Sequence, residues 1–283
     1  MSQFFFFSFL CRGFYIIIIA LFVESGVILP RILMKLSPTS VMHYLKLVGR
    51  SFMFLLALGL YIAGKVQQNG MFAGFEQSLL PLVYALIFSV EIALRLFPSK
   101  LESMGCQKHF RQNFVPRGEF DRSALRRRSL RQITPVIIFW LTLNAIIFAL
   151  YFAGLIDWGM LILVSLAYSV CDMICILFFC PFETWMMMNK CCGSCRIYNW
   201  DFIMMFTPLI FFRHPLAHLL VGLSLVLLLR WEIGAYLTPE RYFEDTNQML
   251  SCANCTEHLC HHKKQLRGFH KRLVRMGYKL FRK

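Results

Sequence analysis

The chain is 283 residues long, 58% of them hydrophobic and only 16% charged, with 29 phenylalanines. Soluble domains carry roughly 45–50% apolar residues, and a chain this apolar cannot bury its surface in a globule and still present a polar exterior. The formal net charge of +15 would suit nucleic acid in a soluble protein. No nucleic-acid-binding motif accompanies it, so none is expected as a partner, and anionic lipid headgroups explain the charge better.

The apolar runs predict an all-α, polytopic integral membrane bundle of about six membrane segments, because roughly 20 apolar residues cross a bilayer. Residues 1–50 read as an N-terminal hydrophobic or interfacial segment, with a crossing over 14–29, followed by a basic loop. Arg12 and Glu24 interrupt that run. The lack of a basic residue before Arg12, and of an A-x-A site, argues against a cleaved signal peptide. Residues 51–97 read as a transmembrane hairpin, crossing over 51–65 and 79–97 around a polar turn at 67–77. Glu91 and Arg95 have the spacing of an intrahelical ion pair.

The loop 98–133 is strongly basic: residues 100–131 hold nine Lys and Arg, Arg126, Arg127 and Arg128 among them, against three acids. Positive loops stay on the cytoplasmic side; this loop and the C-terminal tail are expected there, in the plasma membrane. Residues 134–182 form a second hairpin, outward over 134–155 and back over 160–182. Asp172 falls near the middle of the returning helix. An ionisable group at bilayer depth is costly and faces protein or water, and Tyr168 and Asn144 are its expected partners. Asp201, just before the next apolar run, reads as a helix cap, and Trp185 and Trp200 as headgroup anchors.

The stretch 202–236 raises a question of parity. Residues 202–212 span only about 16 Å as a helix, and Arg213-His214-Pro215 ends them before 216–229 continues. Trp231 and Tyr236 suit an interface, and Arg230 and Glu232 bound the helix. The tail 263–283 carries nine Lys and Arg with no acid, which puts the preceding segment, 237–262, inside. The chain between must then cross an even number of times, so 202–236 is expected to be a short or re-entrant membrane hairpin with its tip, near His218, packed on protein. The competing expectation is one crossing with a disulfide-bonded tail outside. In the tail Leu266, Phe269, Leu273, Met276 and Leu280 recur at amphipathic-helix spacing. Lys263, Lys264, Arg267, Lys271, Arg272 and Arg275 would face anionic lipid.

Of 11 cysteines, Cys11, Cys106, Cys171, Cys175 and Cys180 are scattered and read as small buried hydrophobes. The others form two bunches, in the loop 183–201 and in 237–262. Each contains C-x2-C, Cys192/Cys195 and Cys252/Cys255, and two such knuckles on one side of the membrane complete a tetrahedral shell of four sulfurs. Cytoplasmic thiols stay reduced, so a cytoplasmic Cys-rich metal knuckle holding zinc is expected, with an iron–sulfur cluster as the alternative. Cys191, Cys260, His258, His261 and His262 are alternate ligands.

No phosphate loop, dinucleotide fingerprint, nucleophile elbow or H-E-x-x-H appears, so an enzyme is not the expected class. Three functions compete: a membrane protein whose zinc knuckle builds a platform for lipid or a protein partner; a transporter or channel-like protein using Asp172, Asn144 and His218; and a membrane redox protein with iron–sulfur or dithiols.

Overall fold

A computed structural model describes residues 38–67, 80–97, 109–188, 195–251 and 253. Six α-helices carry the fold: α1 (Pro38–Gln67), α2 (Leu80–Leu96), α3 (Arg122–Phe152), α4 (Trp158–Leu177), α5 (Asp201–Phe206) and α6 (Pro215–Leu237). A π-helical turn at Phe182–Met186 and 3-10 turns at Arg196–Trp200, Thr207–Phe211, Pro239–Tyr242 and Gln248–Leu250 connect them. No β-strand occurs among the described residues. The expected crossing at 14–29 and the amphipathic tail lie outside those residues.

Local chemistry sets the helix starts. Asp121 accepts a hydrogen bond from the Ser123 N–H at 2.8 Å, and Asp157 one from the Met160 N–H at 3.0 Å, each capping the free donors of a first turn. His214 Nδ1 does the same for α6, where Pro215 occupies the first position. Gly154, at φ +70°, turns the chain between α3 and α4. Two helices begin earlier than the apolar runs suggest: residues 38–50 belong to α1 and 122–133 to α3, because their basic side chains find partners along the bundle.

Among the described residues four helical stretches are long and apolar enough to cross a membrane, Ser40–Val66, Arg122–Phe152, Trp158–Leu177 and Pro215–Leu237. The third is the central one, 50% buried against 22–28% for the other three. The outward faces are apolar: Phe52, Leu86, Ile138 and Ile233 are each more than half exposed. Surface of that kind, extended over several helices, needs lipid to cover it. This is an all-helical membrane protein.

α1 and α4 run antiparallel, whereas α2 and α6 run parallel, Phe97 past the end of α2 meeting Arg230 late in α6. α1 lies along α4, pinned at one end by the Tyr61 hydroxyl donating to Asp157 at 3.0 Å and Lys65 pairing with it at 2.8 Å. α2 runs beside α6, and Phe88, Phe202 and Phe206 lock α2 to α5 through edge-on ring contacts of 5.3–6.2 Å. α3 is held at its C-terminal end by Phe148 and Phe152 on Phe211, near its middle by Phe139 on Phe182, and at its start by Arg122 on Glu240 and Arg128 on Asp245. The opposite, basic end of the bundle is closed by residues 239–251, which lie against 109–122. There Arg117 donates to the Thr246 carbonyl at 3.0 Å, Gln248 to Val115 at 2.9 Å, and His109 stacks on Tyr242 at 4.7 Å.

Candidate functional site: charges and a cavity in the bundle core

Six charged side chains meet inside the bundle. Arg50 on α1 reaches Asp172 on α4 at 2.8 Å and Glu91 on α2 at 3.0 Å, and donates to the Ser169 carbonyl at 3.0 Å. Lys46, one turn before Arg50, joins Glu91 at 3.1 Å. Arg95, one turn beyond Glu91, meets Asp201 on α5 at 2.6 Å. Three cations therefore balance three carboxylates. Every member is at least four-fifths buried, and Arg95 is only 2% exposed. Aromatic rings complete the shell: the Arg50 guanidinium lies 5.1 Å from the Phe88 ring centre, and that of Arg95 lies 4.5 Å from Phe202.

These pairs correct or extend several expectations. Asp172 is partnered by Arg50, not by Tyr168 or Asn144. Among the described residues the Tyr168 hydroxyl has no partner, while Asn144 is buried with its amide donating to the Trp140 carbonyl of its own helix. Glu91 and Arg95 feel each other's charge along the helix, and each also has an ion-pair partner on another helix. Asp201 satisfies a first-turn backbone N–H, as its sequence position suggests, and also carries an ion pair. It is the first helical residue, and its carboxylate accepts from both the Phe202 N–H and Arg95. His218 is exposed near the start of α6, at the other end of the bundle from Asp172. Of the six members, Asp172, Glu91 and Arg95 were legible in the sequence as charges in otherwise apolar runs.

Beside the network, α3 and α4 stand apart and enclose a cavity of about 150 Å³. Asp172 and Asp201 border it together with Glu183, and Phe139, Trp140, Tyr168 and Phe182 form aromatic walls. Cys171, Cys175, Cys180 and Cys195 line it as well. The first three sit beside this space rather than in close packing, and Cys195 is buried with its sulfur 3.9 Å from the Met187 sulfur.

A second cluster stands at the basic end. Arg196 binds Ser129 and Glu232, and the Trp200 indole N–H donates to Glu232 at 2.8 Å. The Trp231 indole donates to the Arg196 carbonyl at 3.0 Å. Glu232 thus ties the start of the α5 arm to the end of α6 rather than only bounding a helix. Trp200 and Trp231 are 5% and 6% exposed, buried by this cluster instead of anchoring at a surface. Trp185, at 69%, and Tyr236, at 61%, are exposed. Of the three consecutive arginines, Arg126 lies over the Tyr236 ring and Arg128 pairs with Asp245, while Arg127 is exposed.

Of the expected metal ligands only Cys195 is described. Cys191, Cys192, Cys252, Cys255, Cys260, His258, His261 and His262 lie outside the described residues, as do Lys263, Lys264, Arg267, Lys271, Arg272 and Arg275. Among the described residues no three His, Cys, Asp or Glu side chains converge to hold a metal ion. No family model, no curated protein and no solved structure matches the chain.

Proposed function

We propose that this protein is a transporter or channel-like membrane protein whose solute path runs through the bundle core at Asp172. The observation that carries the reading is the balanced, buried network of Lys46, Arg50, Glu91, Arg95, Asp172 and Asp201 set against an open cavity. Charges at bilayer depth are costly, and a fold that needs only adhesion between helices achieves it with apolar packing. A carboxylate that meets an arginine on one side and borders a cavity on the other, as Asp172 does, is suited to exchanging a cation or proton against that arginine. The test is flux in reconstituted vesicles. Asp172→Asn keeps the volume and the hydrogen bond to Arg50; it is expected to fold as wild type and to lose proton and monovalent-cation flux. Flux equal to wild type removes Asp172 from the path and refutes the reading.

A second reading concerns the basic end. Met188 and Arg196, which flank the first cysteine loop, and Phe243 to Asp245, which precede the second cysteine segment, line one cleft of about 210 Å³. Both cysteine-rich stretches therefore leave the described residues from the same end of the bundle. This supports a four-cysteine zinc knuckle of Cys192, Cys195, Cys252 and Cys255, and with it a cytoplasmic basic end, a re-entrant arm at 202–236 and a platform for lipid or a protein partner. Metal analysis decides it: one equivalent of zinc is expected in the purified protein and none in Cys252→Ser. Equal zinc in both, or none in either, refutes the knuckle.

A further inference from the structure

We infer that the core cavity is a binding site for a soft monovalent metal ion of the copper(I) class, a proposal that rests on the cation-path reading and names its substrate. The cavity's composition carries the argument. Four cysteines and two methionines, Met204 and Met205, are among its seventeen lining residues, in a chain with 11 cysteines and 15 methionines in 283. No Lys, Arg or His is among the lining residues, and every ionisable oxygen group bordering the space is a carboxylate or a tyrosine hydroxyl. Arg50 and Arg95 approach Asp172 and Asp201 from outside it. The space is therefore apolar for the most part and rich in polarisable sulfur.

Donor type then selects the ion. Thiolates and thioethers prefer copper(I), whereas carboxylate, carbonyl and water prefer magnesium, calcium or manganese. Cys175 and Cys180 line the cavity together, and a third thiol, Cys195, lies at the same cavity with the Met187 sulfur behind it. Two adjacent thiolates satisfy a monovalent soft ion, with the thioethers of Met204 and Met205 at the same walls. They do not satisfy zinc, which takes four ligands in a closed shell. Binding displaces the proton of each coordinating thiol; no electron is transferred. The spacing Cys171, Cys175, with Cys180 just past the helix end, puts these thiols along one edge of α4. The sequence alone read them as packing residues because that edge is apolar on both sides.

The experiment must separate this site from the thiols of the two outer clusters. The probe is silver(I), and copper(I) held by a chromophoric chelator, titrated into purified protein in detergent under reducing conditions. The background variant carries Ser at Cys191, Cys192, Cys252, Cys255 and Cys260. It is expected to keep one tightly held equivalent. Adding Cys175→Ser and Cys180→Ser should weaken that equivalent more than about a hundredfold, since even outer-shell changes at metal sites cost roughly 10–100-fold. Met204→Leu and Met205→Leu preserve volume, so a fall in affinity with an unchanged thermal transition assigns the thioethers. If the background variant binds no silver(I), or if the two added serines leave binding unchanged, the site does not exist. Excess zinc displacing silver(I) from the background variant also overturns the proposal. Silver bound without ion flux in vesicles sinks the transport reading and leaves this site standing; proton flux without silver binding does the reverse.

Discussion

The Arg95–Asp201 pair offers a quantitative test of the core network. Both side chains are buried, 2% and 6% exposed, at 2.6 Å. Replacing Arg95 by Met strands a buried carboxylate, a loss of about 3–5 kcal/mol for a broken interior pair. It also removes the cation–π contacts to Phe202 at 4.5 Å and Tyr198 at 5.2 Å, worth about 0.5–2 kcal/mol. Asp201→Leu strands Arg95 in turn and costs about 3–5 kcal/mol by the same reasoning. The double variant removes both charges and leaves two apolar side chains in an apolar surround. It should therefore be close to wild type, within about 2 kcal/mol, since buried pairs replaced by apolar residues are often neutral. The assay is equilibrium unfolding in mixed micelles with increasing denaturing detergent, followed by tryptophan fluorescence, for all four proteins. A coupling energy of several kcal/mol is expected. If the double variant loses the sum of the two single losses, the charges do not act as a pair and the assignment of Asp201 to Arg95 is wrong.

Other positions give smaller, separable effects. Asp157 caps α4 and holds both Tyr61 and Lys65 of α1; Asp157→Ala should cost about 1–3 kcal/mol. Lys65→Ala, at a half-exposed pair, should cost under about 1 kcal/mol, and equal losses in the same unfolding assay would deny the cap its role. Glu232→Gln weakens the bonds from Arg196 and Trp200, and protease sensitivity over Arg196–Trp200 is expected to rise; an unchanged digestion pattern refutes the tie between the α5 arm and α6. The Asp121 carboxyl is held below the usual carboxylate range, chiefly by the Ser123 hydroxyl and N–H. Its contribution is therefore present above the unfolded-state pKa and lost as pH falls through the folded one. Thermal transitions of wild type and Asp121→Ala should differ at neutral pH and converge below about pH 4; a gap that widens on acidification would reverse the sign.

Much of the architecture is written locally in the chain. The runs around 134–155, 160–182 and 216–229 lie on α3, α4 and α6, and the turn at 156–159 is where Asp157 caps the returning helix. Helix starts were less legible. Residues 38–50 and 122–133 carry Lys46, Arg50 and Arg126–Arg128, whose charges resemble a loop until their partners are known. The core site was legible only in part. Asp172 stood out because a carboxylate in an apolar run is conspicuous, but its arginine lies 122 residues away on α1, and no spacing rule connects them. For Glu91 and Arg95 the i,i+4 spacing was legible, while their partners on other helices, Lys46, Arg50 and Asp201, were not.

Apolar length and composition are properties of each segment alone, so the sequence by itself determined that the protein is helical and belongs in a membrane. Which charge meets which, and that Cys175, Cys180 and Cys195 border one cavity, depended on which helices are neighbours. That choice is made by many side-chain contacts acting together across segments far apart in the chain. Only the tertiary structure decides it, because an intramembrane ion pair and a void between helices exist between segments and in neither one alone.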